Sequence, residues 1–304
     1  MADYWTGRDI ISSRDVTREA IEQIWHKARK YEDAVTKKKT YDKLDGKVLA
    51  SLFFEPSTRT QFSFQTAMQR LGGRIIAFSD AETTSVAKGE TLYDTIKMVE
   101  SCADAIVIRH PLEGAARLAA DAASIPVING GDGANQHPTQ ALLDTYTIFQ
   151  QKGKLDGQTI TMIGDLKNGR TIHSLCYALS NFDCTIELWS PPQLKIPQPI
   201  INDIGEKVKV VELESLDLSD SDVVYATRIQ KERFDDPEEA KRYSYVIDAE
   251  MVKTLKDDAI IMHPFPRVDE ISSEVDSLPQ AKYFQQEANG IPVRMAILES
   301  VLAG

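Results

Sequence analysis

Apolar residues fall along this chain in two rhythms. Short, nearly unbroken apolar runs recur, and between them apolar residues return every third or fourth position. The runs are Val48 to Phe54, Arg74 to Phe78, Ala105 to Arg109 and Ile125 to Asn129 in the first half. In the second they are Thr159 to Gly164, Thr185 to Trp189, Val208 to Val211, Val223 to Ala226 and Ala259 to Met262. Runs of this kind suit strands buried on both faces rather than strands with one wet face. The helical rhythm is plain at Ile21, Ile24, Trp25 and Ala28, over Pro138 to Gln151, and over Val293 to Leu302. Strands and helices alternating this way predict an α/β fold with two parallel sheets flanked by helices. A chain of 304 residues suits two domains, each large enough to bury a core. The turn-rich Gly153 to Gly157 is the natural bridge between the halves, and the last helical segment is expected to return to the first domain.

Polar chemistry collects where the predicted strands end. After the first comes Glu55-Pro56-Ser57-Thr58-Arg59-Thr60, followed by Phe62, Ala67, Met68 and Leu71 at helical spacing. Three hydroxyls and a guanidinium thus stand where a strand becomes a helix. Free N–H groups at a helix start favour an anion, and the arginine fork adds paired, charge-assisted hydrogen bonds to the same oxygens. The alternative is that Ser57 merely caps the helix and Arg59 is a solvated side chain. Arg109-His110-Pro111 follows the third strand, and Gly130 to Gln140, including His137, follows the fourth. In open parallel sheets that edge hosts ligands.

Charge narrows the partners. Asp and Glu outnumber Lys and Arg by 46 to 35, a formal net charge of −11, which argues against a general nucleic-acid or membrane-surface binder. An anionic substrate must then be met by locally clustered bases. Cys102, Cys176 and Cys184 form no C-x-x-C pair, so a reducing compartment, no disulfide framework and no zinc site are expected. The start lacks a basic and then apolar signal and no stretch is long enough to span a bilayer, so a cytoplasmic location is expected. Gly164-Asp165-Leu166 lacks the later glycines of a dinucleotide fingerprint. His173 and Cys176 have metal-like spacing without a further ligand, so core packing is the better reading.

The motifs FFEPSTRT, SVAKGETL, VIRHPLEGAARLA, GDGANQHPTQALLD, GDLKNGRTIHSL, TRIQKERF and HPFPRVDEI occur in an order that resembles aspartate carbamoyltransferase catalytic chains, within the aspartate/ornithine carbamoyltransferase family. The resemblance covers essentially the whole length. It implies a two-domain α/β fold joined by interdomain helices, with residues 1–136 and 290–304 binding carbamoyl phosphate and 137–289 binding aspartate. It also implies transfer of a carbamoyl group to L-aspartate in pyrimidine synthesis, with no cofactor or metal.

By the same resemblance, Ser57, Thr58, Arg59 and Thr60 bind the phosphate. Thr60, Arg109 and His137 meet the carbamoyl carbonyl, and Gln140 meets the carbamoyl nitrogen. Such donors resemble an oxyanion hole. Arg170, Arg228 and Gln230 hold aspartate, two arginine forks suiting two carboxylates. The backbone of Pro264, Phe265 and Pro266 meets the substrate amines. Glu55 pairs across the domains with Arg170 and Arg233 on closure, while Glu232 positions Arg228. Ser85 and Lys88 belong to a loop that reaches a neighbouring chain's site, which implies a homotrimer with shared sites, with or without regulatory chains. Some members carry one more residue between that serine and lysine. An ornithine-type site is the nearest rival, but it would avoid the added cations of Arg170 and Arg228 and would carry His-Cys-Leu-Pro where this chain has His263-Pro264-Phe265-Pro266. A non-catalytic scaffold would have no physical need for all these side chains.

Overall fold

Strand β1, Val48–Phe53, lies buried between two parallel neighbours, as its unbroken apolar run requires. This computed structural model describes residues 4–80, 84–230 and 244–303, which divide into two compact units. The first comprises Met1–Tyr146 with Ala288–Gly304 and the second Thr147–Glu287.

The first unit holds a parallel sheet of β1, β2 (Arg74–Phe78), β3 (Ala105–His110) and β4 (Val127–Asp132) in the order β2-β1-β3-β4. From β1 the chain crosses to β2 on one side and then returns to β3 on the other. The switch point therefore lies between β1 and β3, where Phe53 and Arg109 stand in register. Helices α1 (Arg18–Arg29), α2 (Glu32–Thr36), α3 (Thr58–Arg70), α4 (Leu92–Val99) and α5 (Ala115–Ala122) accompany the sheet. Leu52, Ile106 and Ile108 pack with Ile96 and Val99 of α4 and with Ala116 and Ala119 of α5. Each such large aliphatic side chain contributes about 1.5–3 kcal/mol by leaving water. The N-terminal segment bridges β4 through Ile10 N–H to Val127 O (2.8 Å) and Asn129 N–H to Ile10 O (2.8 Å). Within α3 the apolar Ala67 and Met68 are buried, but Phe62 is 61% exposed. Phe62 sits on the outer face of that helix, so its contribution to the apolar stripe is a coincidence of spacing.

Helix α6 (Pro138–Lys152) carries the chain from the first unit into the second, and α10 (Tyr283–Leu302) carries it back. The end of α10 belongs with the first unit, where Gly7 N–H donates to Val301 O (3.1 Å) and Lys27 Nζ to Ser300 Oγ (2.7 Å). The predicted return of the final segment is observed, although α10 starts well before Val293 and carries Pro292 inside it.

In the second unit β5 (Thr159–Ile163), β6 (Thr185–Trp189), β7 (Lys209–Glu212), β8 (Val223–Ala226) and β9 (Ile260–Met262) form a parallel sheet ordered β7-β6-β5-β8-β9. Helices α7 (Arg170–Leu179), α8 (Gln198–Gly205) and α9 (Ala249–Val252) accompany it. Here the switch point lies between β5 and β8. Their ends approach closely: a Cβ on Gly164, whose φ is +115°, would lie 2.1 Å from Thr227 O. Only glycine suits that backbone and that gap.

Candidate functional site

The segment Ser57 to Thr60 lies at the switch point of the first sheet, where β1 gives way to α3, as the strand-to-helix reading expects. Ser57 occupies the N-cap position of α3 with extended backbone, yet its side chain makes no capping hydrogen bond. The simple capping role for its hydroxyl is therefore absent. No acidic residue stands in the first turn of α3, so the partial positive charge of the helix start and the Arg59 guanidinium reinforce one another. Thr58 and Arg59 are exposed, whereas Thr60 is buried. The Thr60 hydroxyl lies 3.5 Å from His137 Nε2, and the Thr139 hydroxyl lies 3.5 Å from His137 Nδ1. Arg109, at the end of β3, donates from Nη1 to Gly130 O (3.2 Å) and from Nη2 to Glu55 Oε1 (3.3 Å). Gln140 donates from Nε2 to Asp144 Oδ1 (3.0 Å) one turn along α6. Thr60, Arg109, His137 and Gln140 are all buried, and Thr60, Arg109 and His137 come from three different strand ends of one sheet.

The turn that delivers His137 is organised by a carboxylate that residue patterns alone do not reveal. Asp132, buried at the end of β4, accepts from Asn129 Nδ2 (2.8 Å) and Gln136 N–H (3.2 Å) at Oδ1. Its Oδ2 accepts from Gly114 N–H (2.9 Å) and Asn135 Nδ2 (3.0 Å). A buried carboxylate that accepts from four donors fixes every segment it touches. His110 is tied down as well, its Nδ1 accepting from Leu112 N–H (3.0 Å). Burial lowers its pKa against the opposing pull of Asp132 and Glu55.

The second unit brings its candidate residues to the equivalent place. Arg170 opens α7 after β5, with Gly169 as the N-cap residue, no side-chain cap and no acid in the first turn. The intervening turn is held by buried Asp165, which accepts from Asn168 N–H (3.0 Å) and Asn168 Nδ2 (3.1 Å). Arg228 and Gln230, both half-buried, follow β8. The residue before them is pinned: Thr227 Oγ1 donates to Ile163 O (3.1 Å), and the Tyr245 hydroxyl donates to Thr227 O (2.6 Å). Burial drives the Tyr245 hydroxyl well above its ordinary pKa, so it stays a donor. Gly164, Thr227 and Tyr245 thus set the spacing of two arginine-bearing strand ends. Only the glycine of the three is visible in the sequence, at the head of a turn.

Pro264–Pro266 follows β9 and contains a cis Phe265–Pro266 bond. His263 Nε2 lies 2.6 Å from Glu270 Oε1, and its Nδ1 accepts from Phe265 N–H (2.8 Å). Both side chains are almost wholly buried.

Ser85 and Lys88 lie exposed on a 3-10 turn, Ser85–Lys88, closed by Gly89 at φ +94°. Glu232 and Arg233 fall outside the described residues. His173 Nε2 lies 2.9 Å from Leu166 O, Cys176 Sγ lies 3.6 Å from Met162 Sδ, and burial pushes the Cys176 thiol up to about 12. Both are core groups, as their lack of a further ligand suggested. Among the described residues no group of three or more His, Cys, Asp or Glu is arranged to hold a metal, and no helix is long and apolar enough to cross a membrane.

Comparison with known proteins matches residues 8–150 to the aspartate/ornithine carbamoyltransferase carbamoyl-P binding domain and residues 156–301 to the Asp/Orn binding domain of the same family. An aspartate carbamoyltransferase catalytic subunit of Archaeoglobus fulgidus is 56% identical over 97% of this chain and 99% of its own length. The aspartate transcarbamoylase of Trypanosoma cruzi in complex with carbamoyl phosphate and aspartate superimposes with a TM-score of 0.94 at 40% identity, covering 99% of this chain and 98% of that one. The catalytic subunit of Methanocaldococcus jannaschii aspartate transcarbamoylase has a TM-score of 0.90 at 52% identity, covering 97% and 98%.

Proposed function

The chain belongs to the aspartate/ornithine carbamoyltransferase family, and we propose that it transfers the carbamoyl group of carbamoyl phosphate to the amine of L-aspartate. The products are N-carbamoyl-L-aspartate and phosphate, an early step of pyrimidine synthesis. The observation that carries this reading is the convergence of Thr60, Arg109 and His137 beside a basic, acid-free helix start. Ser57, Thr58 and Arg59 take the phosphate, while the three buried donors take the carbonyl oxygen. As the amine lone pair attacks the carbonyl carbon, negative charge grows on that oxygen, where fixed donors stabilise it most. The C–O bond to phosphate then breaks, phosphate leaves with the bonding pair, and the amine gives up a proton. The Thr139 hydroxyl can donate to His137 Nδ1, which keeps the proton on Nε2 as a donor. Gln140 spends its amide N–H on Asp144, so its acceptor end is the one suited to the carbamoyl nitrogen.

Arg170 and Arg228 each bind one carboxylate of aspartate, with Gln230 beside them. Carbamoyl phosphate binds first and aspartate second. Proximity of amine and carbonyl supplies up to about 7–11 kcal/mol of barrier reduction. Glu55 pairs with Arg170 and Arg233 in the closed state, and Glu232 supports Arg228. The chain acts in the cytoplasm as a homotrimer, in which Ser85 and Lys88 serve a neighbour's site; their exposure on a short turn supports this.

The test is direct. Purified protein is expected to form carbamoyl aspartate and to turn over ornithine far more slowly, and faster turnover of ornithine would overturn the assignment. Calorimetry should detect tight aspartate binding only when carbamoyl phosphate or an analogue is present. For the trimer, mixing Lys88→Ala with Arg59→Ala subunits should restore part of the activity, and no recovery after verified exchange would remove Lys88 from a shared site.

A further inference from the structure

The loop between β9 and α10 contains a device that the reaction alone does not explain. Pro264 and Pro266 have no N–H, so Phe265 carries the single backbone donor of the segment 264–266. That donor is spent on His263 Nδ1 at 2.8 Å. Farther along, the N–H groups of Val268 and Asp269 are spent on Glu270 Oε2, at 3.2 and 3.1 Å. With its one donor consumed inside the loop, the segment 264–266 has only backbone carbonyl oxygens to offer a ligand.

Two buried side chains enforce this. Because Nδ1 accepts from Phe265, the imidazole carries its proton on Nε2, which faces Glu270 Oε1 at 2.6 Å. His263 is 1% exposed and Glu270 2%. Burial alone would raise the Glu270 carboxyl, but the hydrogen bond from His263, with the loop's own N–H groups, holds it below its ordinary value. The pair is anchored at both ends: His263 N–H donates to Gln286 Oε1 (2.8 Å), and Ile247 N–H donates to Glu270 O (2.9 Å).

We propose that His263 and Glu270 are positioning residues that make Pro264–Pro266 an acceptor-only platform, and that this platform selects an acyl phosphate bearing an amine over one bearing a methyl group. The inference rests on the reading above in which this loop meets the substrate amines. Without the pair the Phe265 peptide is released to rotate, and an N–H can point where an acceptor is needed. A carbamoyl group offers N–H donors to the platform, whereas an acetyl group of nearly the same shape offers none and leaves the carbonyls unsatisfied.

The experiment compares carbamoyl phosphate with acetyl phosphate on the intact protein. His263→Asn keeps an acceptor two residues before the Phe265 N–H, as an Asx turn does, whereas His263→Gln keeps an N–H for Glu270 but moves the acceptor away. Calorimetric dissociation constants for both acyl phosphates and for inorganic phosphate are measured with kcat, KM and thermal unfolding. The preference for carbamoyl over acetyl phosphate should fall about tenfold in the Gln variant, as one lost hydrogen bond implies, and hold within about threefold in the Asn variant. Inorganic phosphate should bind all of them equally. An unchanged preference in the Gln variant, or equal loss of both acyl phosphates, overturns the proposal. If the Gln variant does not fold, Glu270→Gln carries the same test, with a reduced preference expected and an unchanged one decisive against. Wild-type protein that forms no carbamoyl aspartate would instead sink the functional reading, whatever the preference.

Discussion

Helices α3 and α7, which open at the candidate sites, start differently from α1, which supports the fold. α1 starts behind Thr17, whose hydroxyl accepts from Ala20 N–H (3.3 Å), and it carries Glu19 in its first turn. Its opening Arg18 is answered by Glu22 at 2.8 Å. α3 and α7 do the reverse: neither has a side-chain cap or an acid in its first turn, and each carries an arginine there. Basic residues at a helix start oppose the macrodipole and cost stability. At the switch points of two separate sheets, this chain accepts that cost. The difference teaches that a badly finished helix start can mark a binding site. The two sites also differ from each other, since the first adds the buried donors Thr60, Arg109 and His137, which the proposed function assigns to a reacting carbonyl, while the second offers the guanidinium forks of Arg170 and Arg228, which it assigns to a diacid.

That contrast can be sharpened or broken by substitution. His137→Ala should show the largest effect, lowering kcat by about 10²–10³-fold, as for one lost oxyanion donor, with little change in phosphate affinity. Equal losses in both, seen by steady-state kinetics and calorimetry, would erase the distinction between reacting-centre donors and binding forks. Arg59→Ala should weaken inorganic phosphate binding by about 1.5–3 kcal/mol, the range for a hydrogen bond to a charged group, because Arg59 is exposed rather than buried. Thermal unfolding should not fall, and a lower Tm would make Arg59 a structural residue. Gly164→Ala should cost about 1–3 kcal/mol of stability through overpacking and raise the KM for aspartate while sparing phosphate affinity. Wild-type aspartate kinetics in that variant would detach the strand spacing from the second site. Thr17→Ala should remove about 1 kcal/mol of stability and leave kcat alone, the opposite signature from Arg59→Ala. Smallest is Ser57→Asp, expected to add a few tenths of a kcal/mol to stability while repelling phosphate. A less stable protein would contradict the view that α3 starts uncapped for the sake of a ligand.

Much of this architecture is legible in the residue order. The run Val223 to Ala226 coincides with β8 because a buried parallel strand leaves a continuous apolar run, while Arg74 to Phe78 and Thr185 to Trp189 coincide with β2 and β6 although β2 is exposed or half-buried throughout and β6 is buried only at alternate positions. The start of α10 is not legible, because Pro292 and Gly290 break the helical pattern locally while tertiary packing keeps the helix continuous. Phe62 misleads in the other direction, since spacing alone cannot tell which face of a short helix meets the core. Among site residues, Ser57 to Thr60, Arg109 and His137 stand out because their chemistry is unusual at strand ends. Asp132, Tyr245 and Glu270 do not, for a lone acid or tyrosine reveals its partners only after distant segments meet.

Gly164 bears on substrate length as well. The carbonyl of Thr227 occupies the space where any other residue would hold its first side-chain carbon, so the ends of β5 and β8 stand closer than a chiral residue permits. Arg228 follows the end of β8, and Arg170 opens α7 after the turn that leaves β5. On the proposed reading, in which Arg170 and Arg228 hold the two ends of a diacid, the separation of carboxylates that fits is gauged by a methyl group that glycine lacks.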